Sequence, residues 1–162
     1  MSIALLVVSD RASTGVRPDQ VEPAMRAFLE KQGESLAHCA VVPDEKGPIA
    51  ETVARWADSG DYDLILTAGG TGLSPRDVTP EAVKPLLERD IPGIPEIMRA
   101  ESFKITPNAP LSRGYAGCRG RAMIINLPGS PKAAVENLSF VWKAVAHGVV
   151  KLKGDMGDCA PA

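Results

Sequence analysis

Leu64-Ile65-Leu66-Thr67-Ala68-Gly69-Gly70-Thr71-Gly72-Leu73-Ser74-Pro75-Arg76-Asp77-Val78-Thr79-Pro80 carries a strand, a glycine turn and a helix start within 17 residues. Leu64–Thr67 is an apolar run of strand length, and it leads straight into Ala68-Gly69-Gly70-Thr71-Gly72. Thr79 as a cap and Pro80 in first-turn position then open a helix, with Val83, Leu86 and Leu87 turned inward. Pro85 should kink it. Strand, turn and helix in this order form the repeating unit of an α/β fold.

The rest of the chain repeats that alternation. Ile3–Val8 is a continuous apolar run, as expected of a strand buried on both faces. A helix follows, opened by Pro23, with Met25, Phe28 and Leu29 on one face and Gly33 at its end. Leu36–Val42 reads as a second strand, and Pro48 opens a helix on which Ile49, Val53 and Trp56 recur at helical spacing. Residues 91–110 hold four prolines and read as a short helix around 95–103 followed by a loop. Ala122–Leu127 is a fourth core strand, after which Ser130-Pro131 caps and opens a last helix with Ala134, Leu138, Val141, Trp142 and Val145 inward. The expected fold is a single α/β domain over 1–162, with 154–162 as a C-terminal tail. It has three αβα layers and a mostly parallel central sheet.

Composition narrows the function classes. The chain has 162 residues, with 15 glycines and 14 prolines. Proline is thus well above the usual share of about 5%, while hydrophobic residues at 44% suffice for a core. Sharply built turns are the expected use of that excess. A net charge of −2 and 4% aromatic residues argue against nucleic acid as a partner. Charge is uneven: residues 1–110 hold 11 Lys/Arg against 17 Asp/Glu, and residues 111–162 hold 7 against 3. A basic segment in an acidic chain suits a small anionic ligand. Cys39, Cys118 and Cys159 form no CxxC pair, which points to a reducing cytoplasm. The apolar start ends at Ser9-Asp10, too early for a membrane helix or signal peptide, so no membrane partner is expected.

Ligands in open α/β sheets bind outside the carboxyl ends of the strands. Three exits combine a turn-forming residue with a polar group: Val42-Pro43-Asp44-Glu45, Thr67 through Asp77, and Asn126-Leu127-Pro128-Gly129-Ser130. Gly69, Gly70, Thr71 and Gly72 form a turn whose backbone N–H groups could approach a phosphate closely, although shape alone is an equal reason for such glycines. No glycine is followed by lysine, so there is no P-loop, and the third glycine of a dinucleotide fingerprint is missing. Asp44 and Asp77 each have a plain structural reading, as a Pro-Asp turn and a helix-start residue. Together, beside a phosphate cradle, they could hold Mg²⁺, which is commonly bound by one or two carboxylates plus substrate phosphates. Ser112, Arg113 and Arg119 add groups suited to phosphate oxygens, while Arg121 and Lys132 read as solvated charge. His38 and His147 lie in apolar stretches and read as buried or half-buried structural residues, and no GxSxG elbow is present.

Thr67 through Ala82 closely resembles the signature of the molybdenum-cofactor biosynthesis family, which includes MogA- and MoaB-type bacterial proteins and the gephyrin G domain. The resemblance extends through Val8-Ser9-Asp10-Arg11, Pro43-Asp44, Leu111-Ser112-Arg113, Gly117-Cys118-Arg119-Gly120 and Asn126 through Ala133, and covers about residues 3–153. It implies a molybdopterin adenylyltransferase that takes Mg-ATP and molybdopterin to adenylylated molybdopterin and pyrophosphate. On that resemblance Asp44 and Asp77 are catalytic and hold Mg²⁺. Gly69, Gly70, Thr71 and Gly72 contact the nucleotide, and Ser112, Arg113, Asn126, Pro128, Gly129 and Ser130 line the molybdopterin or nucleotide side. A homotrimer is implied, with a molybdenum-insertion enzyme downstream. The alternative within the family is a non-catalytic MoaB-type molybdopterin-binding or assembly protein. Ala68 stands where many relatives carry Thr or Ser, so no hydroxyl is offered there.

Overall fold

A computed structural model describes residues 1–16 and 18–154; the expected tail from 155 to 162, with Cys159, lies outside the described residues. Six strands form one mixed sheet. They are β1 (Ile3–Val8), β2 (Leu36–Val42), β3 (Leu64–Ala68), β4 (Arg89–Asp90), β5 (Ala116–Arg119) and β6 (Ala122–Leu127), in the order β2-β1-β3-β6-β5-β4. The first four in that order run parallel, and β5 and β4 are added antiparallel.

The four core strands match the sequence reading almost residue for residue, because β1, β3 and β6 are buried along their whole length and read as unbroken apolar runs. The two antiparallel strands escape it. β4 has two exposed residues, and β5 is Ala-Gly-Cys-Arg, with neither an apolar run nor β-branched residues.

Alternate residues of the parallel strands supply two cores. Ile3, Leu5, Val7, Leu64, Leu66, Ile125 and Leu127 face α2 (Val21–Lys31), α5 (Gly93–Phe103) and α6 (Pro131–Leu152). Ala4, Leu6, Val8, Ile65 and Ile124 face α3 (Lys46–Ser59) and α4 (Thr79–Val83). The three-layer arrangement therefore holds, with helices on both sides of the sheet. A single turn, α1 (Asp10–Ser13), follows β1 and is capped by Ser9 Oγ, which accepts the Ala12 amide at 3.2 Å.

Helix starts differ from expectation in instructive ways. Pro23 is the third residue of α2, because the Asp19 carboxylate accepts the Val21 and Glu22 amides, each at 2.9 Å, and starts the helix earlier. Pro48 is likewise the third residue of α3. Pro85 ends α4 at Val83, and a 3₁₀ turn over Lys84–Leu86 replaces the expected kinked continuation. α5 spans Gly93–Phe103, with a 3₁₀ turn at Ala109–Leu111 in the loop beyond it. Ser130 caps α6 as read, its Oγ accepting the Ala133 amide. Both histidines correct the sequence reading, since each is exposed. His38 packs edge-on to buried Trp56 at 5.2 Å and stacks with half-buried Tyr62 at 6.1 Å, so its apolar stretch lies on a strand face that is itself largely exposed.

Candidate active site

The parallel strands end together, and their exits build the site. The backbone ladder between β1 and β2 closes with Ser9 N–H donating to the Val42 carbonyl at 2.9 Å. Pro43 has no N–H and cannot extend it. Past that point the side chains take over. Asp10 N–H donates to Asp44 Oδ2 at 2.8 Å, and Asp44 N–H donates to Asp10 Oδ1 at 2.9 Å. Arg76 forks onto Asp10, its Nε 3.0 Å from Oδ2 and its Nη2 2.8 Å from both oxygens. That guanidinium holds the Asp10 carboxyl below the ordinary value, whereas burial pushes the Asp44 carboxyl up, against the opposing pull of its bond from the Asp10 amide.

The glycine loop is pinned along its length. Gly69 and Gly70 have φ of +116° and +63°, backbone that side chains rarely adopt. A Cβ on Gly69 would lie 2.1 Å from the Val8 carbonyl oxygen, and one on Gly70 would lie 2.4 Å from Thr79 Oγ1. All four loop carbonyls are taken by protein donors. Thr79 Oγ1 donates to Gly69 O at 2.8 Å and Thr79 N–H to Gly70 O at 3.1 Å. Arg113 N–H donates to Thr71 O at 2.9 Å and Arg113 Nε to Gly72 O at 2.7 Å. Of the loop amides, only that of Gly69 is spent among the described residues, on Leu127 O at 3.1 Å. The acceptors are filled and donors remain, which is the polarity an anion requires. Thr79 therefore does not cap α4 as expected; its hydroxyl is used on the loop instead.

Two cavities lie on either side of this loop. One, of about 370 Å³, is lined by Ser9, Asp44, Ala68, Gly69, Gly70, Gly129 and Ser130, with Pro18 through Val21 closing one side. The other, of about 440 Å³, takes Thr71, Gly72, Ser112 and Pro128 together with Arg99, Ser102, Thr106 and Asn137. Asp77 lines neither of them: its Oδ2 lies 2.9 Å from where a Cβ on Gly72 would be, and accepts the Ser74 amide at 2.7 Å. It is thus engaged in a turn rather than left free by the helix cap.

Two expected pterin-side residues line neither cavity. Asn126 is buried under the loop, its Nδ2 donating to Thr67 Oγ1 at 2.9 Å and its Oδ1 accepting the Tyr115 amide at 3.1 Å. Arg113 is committed to Gly72 O, to Asp77 O at 2.6 Å and to the Glu81 carboxylate, and so braces the loop. Arg119 is paired with Asp58 on the far side of the sheet's edge strands. Sequence reading gives Asp10 no role beyond its place in the Val8–Arg11 segment, although it leaves β1 as Asp44 leaves β2. The same reading passes over the 18–21 segment, which no motif marks.

No group of three His, Cys, Asp or Glu residues suited to a metal occurs among the described residues. Asp44 and Asp77 nonetheless fit Mg²⁺: each is a hard oxygen donor with one oxygen fixed by a backbone amide, and both lean on the loop that offers N–H groups to phosphates. Mg²⁺ is ordinarily completed by substrate phosphates and water rather than by a protein cage.

Residues 4–147 match the family described as probable molybdopterin binding domain. The chain is 39% identical over 155 residues to the molybdopterin adenylyltransferase of Helicobacter pylori strain J99, covering 94% of this chain and 88% of that one. It is 45% identical over 157 residues to gephyrin of Dictyostelium discoideum, covering 91% of this chain but only 22% of gephyrin. Among solved structures, the molybdopterin biosynthesis enzyme MoaB of Thermus thermophilus superposes with a TM-score of 0.89 at 45% identity, over 95% of this chain and 97% of that one. With the family model matched over residues 4–147 and relatives of about 40% identity covered nearly end to end, this chain belongs to the molybdenum-cofactor biosynthesis family of molybdopterin-binding domains.

Proposed function

We propose that this protein is a molybdopterin adenylyltransferase, moving AMP from Mg-ATP to the terminal phosphate of molybdopterin with release of pyrophosphate. The observation that carries the reading is the loop Gly69–Gly72, with every carbonyl bound inward and its donors left between two cavities. Transfer between two anionic substrates needs two adjoining pockets and a shared anion cradle. The relatives named molybdopterin adenylyltransferase supply the chemistry.

A phosphate oxygen of molybdopterin forms a bond to the α-phosphorus of ATP, and the bond from that phosphorus to the β-phosphate bridging oxygen breaks. The electron pair leaves with pyrophosphate. A phosphate monoester has its second pKa at about 6 and is largely dianionic at neutral pH, so no side chain needs to remove a proton. Bringing polyanions together is the difficulty, and it is answered by alignment and charge neutralisation. Asp44 and Asp77 would hold Mg²⁺, which would supply charge neutralisation at the phosphate oxygens. Gly69, Gly70, Gly129 and Ser130 bind on the Asp44 side, and Thr71, Gly72, Ser112 and Pro128 on the other. Asn126 and Arg113 act from behind, fixing β3 to β6 and the loop to Asp77.

Incubation with Mg-ATP should release pyrophosphate only when molybdopterin is added, and Asp77→Ala should abolish it. Molybdopterin binding without turnover, measured calorimetrically, would instead indicate a binding or assembly protein of the same fold. The same reading places the protein in the cytoplasm, and none of the described helices is long and apolar enough to cross a membrane. It also makes the protein a homotrimer, working upstream of a molybdenum-insertion enzyme. Ile97 and Phe103 lie exposed, which is apolar surface of the kind an assembly covers. A monomer mass by light scattering would contradict the trimer.

A further inference from the structure

Asp10 touches neither loop nor cavity, yet it stands between two parts of the site. We propose that Asp10 and Arg76 are a positioning pair that sets where the Asp44 carboxylate stands relative to the glycine loop and Asp77. The proposal rests on the adenylyl-transfer reading and names residues that the reading leaves without a role.

Pro43 is where the pairing of β1 with β2 stops. Because it lacks an N–H, β1 and β2 would separate beyond Ser9, and Asp44 would hang on an unpaired strand end. The reciprocal bonds between Asp10 and Asp44 replace the missing rungs. Each carboxylate is held by the other's backbone, so the Asp44 side chain is fixed by Oδ2 while Oδ1 faces the loop, 3.3 Å from a Cβ placed on Gly70.

Two carboxylates this close repel, and Arg76 answers the repulsion by its bidentate grip on Asp10. Arg76 is the residue before Asp77, and the turn they share is closed by Asp77 N–H donating to Ser74 O at 2.8 Å and by Ser74 N–H donating to Asp77 Oδ2. One continuous set of contacts therefore runs from Asp44 through Asp10 and Arg76 to the turn that carries Asp77. Asp10 and Arg76 side chains are 44% and 57% exposed, and an ion pair so open to water adds little to folding stability. A merely structural role would show in melting temperature and leave turnover alone, whereas a positioning role predicts the reverse.

The test compares Asp10→Ala, Asp10→Asn, Arg76→Gln and the Asp10→Ala/Arg76→Gln double variant. Three quantities are read: kcat, KM for ATP, and affinity for Mn²⁺ in the presence of ATP, by electron paramagnetic resonance. Asp10→Ala should lower kcat by about 10- to 100-fold, since displacements near 1 Å cost that much, with a smaller change in KM. Asp10→Asn should recover part of the loss, because its side-chain oxygen still accepts the Asp44 amide. Arg76→Gln should resemble Asp10→Asn, and the double variant should be no worse than Asp10→Ala. Mn²⁺ affinity should fall in Asp10→Ala. Three results would overturn the proposal: kcat and Mn²⁺ affinity of Asp10→Ala both within twofold of wild type, an asparagine variant no better than alanine, or additive losses in the double variant. If wild type releases no pyrophosphate, the transfer reading fails instead. The Mn²⁺–ATP titration then decides the pair, and an unchanged affinity in Asp10→Ala, or none in wild type, sinks it.

Discussion

Asn126 Nδ2 donates to Thr67 Oγ1 across 2.9 Å, at the rung where β6 and β3 pair these same two residues, and both are buried. The bond locks the two strands together directly beneath the glycine loop. Asn126 Oδ1 meanwhile accepts the Tyr115 amide and so ties in the chain approaching β5. Asn126→Ala would leave the Tyr115 amide and the Thr67 hydroxyl without these partners. We expect a loss of about 1–3 kcal/mol in unfolding free energy, the usual cost of stranding buried polar groups. Urea denaturation with an unchanged slope and a lower midpoint is the expected signature, and an unmoved midpoint would refute it.

Gly72→Ala separates fold from chemistry. The new Cβ would fall 2.9 Å from Asp77 Oδ2, the far end of a side chain, and Gly72 has no positive φ to strain. The main chain should survive while the Asp77 carboxylate is displaced. Pyrophosphate release should fall by about tenfold or more, with the melting temperature within a few degrees of wild type. Equal activity would show that Asp77 is not used where it stands.

Gly148→Ala should be tolerated. It lies inside α6, where glycine is worse than alanine by about 0.5–1 kcal/mol, and among the described residues the close neighbour of an added Cβ is Met123 Cε at 2.7 Å. A methionine terminus moves easily. The melting temperature should stay the same or rise, and a drop of many degrees would mean that the Met123 packing is rigid.

Acid should remove one surface contribution in a defined window. Arg119 binds Asp58 bidentately at 2.7 and 2.9 Å and holds its carboxyl below the ordinary value of 3.8. Between the folded and the unfolded values the unfolded chain binds more protons, so stability rises with pH there. The contribution is complete above the ordinary value and is lost as pH falls through the lowered one. The melting-temperature gap between wild type and Asp58→Asn should be open at pH 7 and closed in strong acid. A gap independent of pH would contradict the pairing.

The parallel strands were legible because burial on both faces leaves a sequence no room for polar residues, as in Leu64-Ile65-Leu66. The glycine loop was legible for a related reason: a turn that places atoms where any Cβ would collide must be written in glycine. Arg113 and Asn126 were seen as important but given the wrong side of the wall, because residue type does not say whether a polar group faces a ligand or the backbone behind it. Asp10 was legible only within the Val8–Arg11 segment, with no role of its own. Its partner Asp44 is 34 residues away and Arg76 is 66 away, and only the sheet register brings them together. The antiparallel strand β5 was missed because its Ala-Gly-Cys-Arg sequence carries no period of two in hydrophobicity.

The filled carbonyls of the loop also bear on how fast ligands arrive. With Thr79 and Arg113 each holding two of the four, the shape of the cradle is set by the protein's own donors. The entropy of ordering it is lost when the chain folds, not when a ligand docks. Association of an anionic substrate with this surface should accordingly be governed by encounter and by ionic strength, with no slow closing phase in stopped-flow traces.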